Sequence, residues 1–362
     1  MPDVQNHENS HIGIVLTAFI KQNTSMRNFL TISLSISLLL LTACSKRRGA
    51  RPLFAAESQP ADYPTTQGLF ALDQFLDEST NGEMRVRVYP GGQLGSEEAT
   101  LELAIFGGVD LTRVNLGPLT SIAPLTSVLA LPFLFSSISH ARSVFDGSIG
   151  RTVLDSLDAH GLRGLCFYDS GARSFYNTRH PIRAPEDMAG MKVRVPNSDI
   201  YVEMVRALGA NPTPIPFGEV YQSLVQGVVD GAENNVPSYE STRHFEAAQF
   251  YSLTQHVMAP EVLVASGTTW AKLSEEERQF LQAAASRSVP IMRSNWDARV
   301  EKARDRITAA GVKIVEELEQ SAFEKAMAPV WERFVTSSKM VSLVDQITRL
   351  KPQPSAGDSL NE

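Results

Sequence analysis

Met191-Lys-Val-Arg194-Val-Pro196 alternates valine with a basic residue and then stops at a proline, the pattern of a short strand whose two faces meet different surroundings. It stands inside the run from Tyr168 to Tyr251 that organises the chain. Upstream lie a second strand, Gly161-Leu-Arg-Gly-Leu-Cys-Phe-Tyr168, and then Asp169-Ser-Gly-Ala-Arg173-Ser-Phe-Tyr-Asn177. Downstream come Leu208-Gly-Ala-Asn-Pro-Thr-Pro-Ile-Pro-Phe217-Gly-Glu-Val-Tyr221 and Gln226-Gly-Val-Val-Asp-Gly-Ala-Glu-Asn234-Asn235. Toward the N-terminus the same alternation continues. Pro52–Glu57 reads as a strand, Gln67–Thr80 as a helix ended by Asn81-Gly82, Met84–Tyr89 as a strand, Glu97–Phe106 as a helix and Asp110–Asn115 as a strand. Ser274-Glu-Glu-Glu277 forms a capping box that opens a long helix running to about Ala310, with Pro290 expected to kink it and Gly311 to stop it. Such alternation predicts α/β units around mostly parallel sheets. No internal repeat is apparent.

Arg194 belongs to the face opposite Val193 and Val195. From pattern alone, a solvated arginine on the outer face of a strand is the plain reading, and the same holds for Arg173. Glu219-Val-Tyr221 and Val229-Asp-Gly231 read as packing and turn positions, and Trp270, Trp296 and Trp331 as core or hinge-helix aromatics.

Composition narrows the function classes. The 362 residues are enough for two domains, and 43% hydrophobic with 20% charged residues is ordinary globular composition. Lysine and arginine number 33 against 40 acidic residues, a net charge of -7 that offers no cationic field for a nucleic acid. Two cysteines exclude a disulfide framework, and the seven histidines show no metal-ligand spacing. The chain carries no nucleophile elbow, Walker A sequence or dinucleotide fingerprint, so no enzyme class, cofactor or metal is expected. Cys166, between apolar neighbours, reads as a buried strand residue.

The N-terminal region carries an address. Met26-Arg-Asn28 is a short basic segment before the apolar run Phe29–Leu41, about the length of a secretory h-region and short of a membrane span. Leu41-Thr-Ala-Cys44, directly before Ser45, resembles a bacterial lipobox, in which the cysteine becomes the acylated first residue of the mature chain. On this reading residues 1–25 precede the true start, 26–43 are a lipoprotein signal peptide, and 44–51 form a tether. The tail 351–362 is expected to be disordered.

Taken in order, Tyr63-Pro-Thr-Thr-Gln67, Tyr89-Pro-Gly-Gly-Gln-Leu-Gly95, Leu131-Pro-Phe-Leu-Phe135 and the segments from Tyr168 to His256 resemble the solute-binding component of tripartite ATP-independent periplasmic (TRAP) transporters, the DctP-type family. The resemblance spans essentially the whole mature chain. It implies two α/β lobes of periplasmic-binding-protein type, joined by hinge strands near 172 and 259 and bridged by the long helix. Residues 52–171 with 260–299 would form lobe I, and 172–259 with 300–350 lobe II.

The resemblance assigns Arg194 to the clamp on the ligand carboxylate, a role that suits the planar, two-pronged guanidinium. Arg173 matches a second cation, Phe217 an aromatic beside the ligand and Asn234 an amide donor. Asn235, Tyr239, Asn115, Arg113, Glu57 and Asp62 are further candidates around the cleft. The implied function is an extracytoplasmic receptor, anchored to the membrane through Cys44. It would deliver a small organic acid to the small and large permease subunits without chemistry on the ligand.

Thr112-Arg-Val-Asn115 with Gly231-Ala-Glu-Asn-Asn-Val-Pro-Ser-Tyr239 looks like the subgroup that takes hexuronates. Val195-Pro-Asn197 departs from the Val-Gln-Gln of that subgroup. A C4-dicarboxylate or another sugar acid therefore stays open, as does a ligand-sensing lipoprotein coupled to a signalling partner.

Overall fold

The structure, a computed structural model, describes residues 52–350. The leader, Cys44 and the tail from Lys351 lie outside the described residues. From the first strand the chain runs β1 (Leu53–Ala56), α1 (Pro64–Thr80), β2 (Val86–Tyr89), α2 (Glu97–Ile105) and β3 (Leu111–Asn115). Helices α3 (Leu116–Thr120), α4 (Ile138–Asp146) and α5 (Ser148–Asp155) lead to β4 (Leu162–Tyr168). Next come β5 (Arg173–Asn177), β6 (Lys192–Val195), α6 (Asp199–Ala207) and β7 (Asn211–Pro214). They are followed by α7 (Val220–Val225), β8 (Gly231–Asn234), α8 (Val236–Ser241), α9 (His244–Ala247) and β9 (Phe250–Val257). The remainder is β10 (Glu261–Ser266), α10 (Gly267–Lys272), α11 (Glu275–Ala309), β11 (Lys313–Val315), α12 (Gln320–Ala326), α13 (Ala328–Phe334) and α14 (Ser338–Arg349).

The strands form two sheets, β2-β1-β3-β10-β4 and β11-β9-β5-β8-β6-β7. The chain passes between them twice, from β4 to β5 and from β9 to β10. Two α/β lobes joined by strand crossings are what the sequence led one to expect. The sheets themselves are mixed rather than mostly parallel. Strands β1, β2 and β3 pair in parallel, as do β6 with β7 and β8, because a helix returns the chain between each pair. The crossing strands arrive from the opposite lobe and insert antiparallel: β10 between β3 and β4, and β5 between β8 and β9.

The two lobes repeat one plan, which corrects the absence of a repeat in the sequence. The order β2-β1-β3-β10-β4 has its counterpart in β7-β6-β8-β5-β9. Gly107-Gly-Val-Asp110 enters β3 as Gly227-Val-Val-Asp230 enters β8, and both first glycines have positive φ. Asp110 Oδ2 accepts from the Phe54 amide at 2.8 Å and Asp230 Oδ2 from the Lys192 amide at 2.7 Å, each locking the neighbouring strand. Three positions later stand Arg113 and Glu233. Two further on, Asn115 and Asn235 cap α3 and α8. So few identical residues are too sparse for a sequence signal.

Helix α1 starts three residues before the expected Gln67, because Pro64 is preorganised for the first helical position. Asn81 in the left-handed region and Gly82 end it. Helix α11, about 52 Å long at 1.5 Å per residue, has the predicted capping box: Glu277 N–H donates to Ser274 Oγ at 3.2 Å and Ser274 N–H to Glu277 Oε2 at 2.7 Å. It continues through Pro290, which lies on the exposed face where water can serve the freed Ser286 carbonyl.

Its stripe Leu281, Ala284, Ala285, Ser288, Met292 and Trp296 packs on α1 and β4, and its later turns reach α8 in the second lobe. Gly68 permits this approach, since a Cβ there would stand 3.0 Å from Met292 Cβ and from the Tyr168 ring. Helix α14 departs from the expected assignment of 300–350 to lobe II. It packs back against α5 and the 124–130 turn of the first lobe, where Ile347 O meets His140 Nε2 at 2.9 Å.

Candidate functional site

Strand ends decide what faces the cleft. In each lobe the carboxyl ends of the parallel strands open toward the other lobe, the usual place for a ligand in α/β sheets. The seam is already closed by direct contacts. Thr120 Oγ1 lies 3.1 Å from Ser198 Oγ, and Tyr63 Oη lies 2.8 Å from Ser238 Oγ and 3.3 Å from Asn235 Oδ1. A cavity of about 300 Å³ remains between the lobes. Ser58, Glu97 and the Gly91-Gly92 turn line it from the first lobe, and Arg194, Pro196 and Phe217 from the second.

Arg194 is buried rather than solvated, because β8 and β7 flank its strand on both sides. Its Nε donates to Ile215 O at 2.8 Å. Among the described residues it has no carboxylate within ion-pair range, and its two terminal nitrogens have no hydrogen-bond partner. Burial holds its pKa below the usual arginine value, opposed by the charge of Glu233. A buried cation in this state calls for an anion.

Arg173, also buried, is in the opposite condition. Nε and Nη2 donate to the two Glu233 oxygens at 2.5 and 2.7 Å, and Nη1 to Asn234 Oδ1 at 3.0 Å. Burial works against its charge, but Glu233 outweighs that and raises the pKa. For Glu233, burial pushes upward while Arg173 and His256 bring the carboxyl down to about 2. Arg173 is thus neutralised in place. It stacks near Tyr201, whose buried hydroxyl has no partner among the described residues.

On the first-lobe side, Arg113 is enclosed by acids. Its Nη1 donates to Glu97 Oε1 at 2.7 Å and to Glu261 Oε2 at 2.6 Å, and its Nε and Nη2 grip Glu57 in a fork. Nη2 also donates to Ser58 Oγ at 2.6 Å. Glu97 is pushed up to about 8 by burial first and by the charge of Glu261 second; donors from Ser58 and the Asn115 amide only partly offset this.

The expected site residues therefore separate. Arg194 and Phe217 line the cavity, with Arg173 and Asn234 linked to each other one layer behind. Arg113 and Glu57 form a buried pair under the first-lobe wall. Asn115 and Asn235 spend their side-chain oxygens on helix caps, to Gly117 N–H at 3.0 Å and Ser238 N–H at 2.8 Å. Tyr239 is a core residue, packed among Tyr176, Tyr251 and Phe245 and donating to Ala248 O. Asp62 is exposed and pairs with Arg299 of α11 at 3.3 Å.

Glu97, Glu233, Glu261 and Tyr201 were missed. Glu97 reads in sequence as an acidic residue in the first turn of a helix, which it is, and nothing local tells that it also faces a cleft. Burial pushes the Cys166 thiol up to about 12, which fits a packed strand residue rather than a nucleophile. A larger cavity, about 540 Å³, lies beside the crossing at Gly171 and is lined by Trp296, Val300, Tyr251 and Leu253. Its arginines, Arg142 and Arg304, are already paired with Asp169, Asp297 and Glu316, so it lacks the free cation of the smaller one.

Residues 55–338 match the family model described as bacterial extracellular solute-binding protein, family 7. A solute-binding protein of Chromohalobacter salexigens is 42% identical over 289 residues, covering 80% of this chain and 86% of its own. The 2,3-diketo-L-gulonate-binding periplasmic protein YiaO of Escherichia coli is 30% identical over 75% of this chain and 85% of its own. Among solved structures, a TRAP periplasmic solute-binding protein from Bradyrhizobium, in complex with D-galacturonate, is 45% identical with a TM-score of 0.82, over 83% of this chain and 100% of that one. Another from Chromohalobacter salexigens, with bound D-glucuronate, is 40% identical with a TM-score of 0.80, over 83% and 100%. With the sequence motifs, the two-lobed fold and the cleft all in agreement, the chain belongs to the DctP-type periplasmic solute-binding proteins of TRAP transporters, a family of receptors rather than enzymes.

Proposed function

We propose that this receptor captures a hexuronate, D-galacturonate or D-glucuronate, with its carboxylate on Arg194. The observation that carries the reading is a buried guanidinium with no anionic partner on the wall of an interlobe cavity. Two terminal nitrogens in one plane match the two oxygens of a carboxylate. Phe217 offers a ring face to the sugar, and Asn234 with Arg173 stiffens the floor. The similar solved proteins that hold galacturonate or glucuronate support the same ligand class. Binding proceeds by hinge closure about the two strand crossings, and the closed receptor is delivered to the small and large permease subunits.

The test is a thermal-shift panel of uronates, aldonates, dicarboxylates and neutral sugars on residues 45–362. A ligand at about 100 times its Kd adds roughly 2.7 kcal/mol of apparent stability. A shift with uronates supports the reading; a shift confined to dicarboxylates overturns it. We propose further that Cys44 carries a lipid anchor. Cys44→Ser should then move the protein from the membrane to the soluble fraction, and a variant that still sediments with membranes refutes the anchor.

A further inference from the structure

The two walls of the cavity differ in charge. On the second-lobe side two buried arginines, Arg173 and Arg194, stand against one buried glutamate, Glu233, with Glu219 exposed at the rim; His256 behind them is kept neutral by burial. On the first-lobe side three carboxylates, Glu57, Glu97 and Glu261, stand against Arg113 alone. That wall is net negative whether or not Glu97 holds a proton.

The first-lobe arginine has nothing left to give. A guanidinium has five N–H donors. All five are taken: one each by Glu97, Glu261 and Ser58, and two by Glu57. The carboxylates, by contrast, keep accepting capacity. Glu97 Oε1 takes Ser58 and Arg113, while Oε2 takes only the Asn115 amide at 3.2 Å. Glu97 is the member of the group that reaches the cavity wall, across from Arg194.

Resting on the uronate reading, we infer that the first-lobe wall accepts hydroxyl donors and rejects a second carboxylate, making the site selective for a polyhydroxy monoacid over the dicarboxylate of the same chain length. The acid end of the ligand has one place to go, the Arg194 side. A second acid group at the far end would meet Glu97, with Glu261 behind it, and Arg113 has no free N–H to receive it. Hydroxyls at that end meet acceptors instead.

The experiment is calorimetric titration at pH 9, where Glu97 is ionised, of the wild-type protein and Glu97→Gln with D-galacturonate and with galactarate, its open-chain analogue with a second carboxylate at C1. The wild type should bind galacturonate about 100-fold or more tighter than galactarate, the scale of a like-charge contact of a few kcal/mol. Glu97→Gln should narrow that ratio by about tenfold. A merely structural role for Glu97 would weaken both ligands alike and leave the ratio unchanged, which overturns the inference. Equal affinity of the wild type for the two acids overturns it as well, with the uronate reading intact. A wild type that binds neither galacturonate nor glucuronate defeats the uronate reading itself.

Discussion

Arg194 and Arg173 are the same residue type on the two strands that flank β8, and their partners give them different work. Truncating Arg194 removes a cation that no protein carboxylate uses. Arg194→Ala should therefore leave the fold standing and weaken uronate binding by about 3–5 kcal/mol, the cost of leaving a buried charge unpaired; an unchanged Kd would remove it from the site. Arg173→Ala strands Glu233 in the core, so it should lower stability by a similar 3–5 kcal/mol, read as a large fall in denaturation midpoint. A stable Arg173→Ala protein would contradict that pairing.

Glu97 adds a pH dependence. With its pKa near 8 it is mostly neutral at pH 7, and an anionic ligand in the same cavity favours the neutral form further. Binding then takes up a proton once pH exceeds about 8, so affinity is highest below that value and falls as pH rises through it. Titrations at pH 6.5 and 9 test this, and Glu97→Gln should flatten the profile.

At the scale of elements, the crossing between β4 and β5 is the sensitive part. Gly171 has φ of +60°, and a Cβ there would stand 2.9 Å from the Trp296 ring of α11. Gly171→Ala should cost at least about 1–2 kcal/mol for the left-handed backbone alone, with more for displacing Trp296. Because this segment joins the lobes, ligand affinity should fall with stability; a variant as stable as wild type would show that the crossing adapts freely.

These elements also show how much was legible. Strands β2, β3, β4 and β6 and the capping box of α11 were read almost to the residue, because alternation and caps are local signals. The antiparallel insertion of β5 and β10 was not, since strand direction in a sheet depends on which lobe the strand enters from.

For the whole molecule, two lobes on one plan, joined by two crossings and clamped by α11, give a closure axis. Small-angle scattering should register a smaller radius of gyration on adding galacturonate, and identical curves would oppose hinge closure. The same contacts that close the seam, Thr120 with Ser198 and Tyr63 with Ser238, link first-lobe to second-lobe side chains and hold the closed form without touching Arg194.

The sequence by itself determined the family through its ordered motifs and the α/β alternation through hydrophobic periodicity, while the two lobes and the candidate carboxylate clamp were what that resemblance implied. Only the tertiary structure decided which arginine is free. Three buried arginines, Arg113, Arg173 and Arg194, look alike in sequence, and their difference lies in carboxylates 16 to 148 residues away that the fold brings to two of them and not to the third. Pairing is a property of distance in space, which no local pattern encodes.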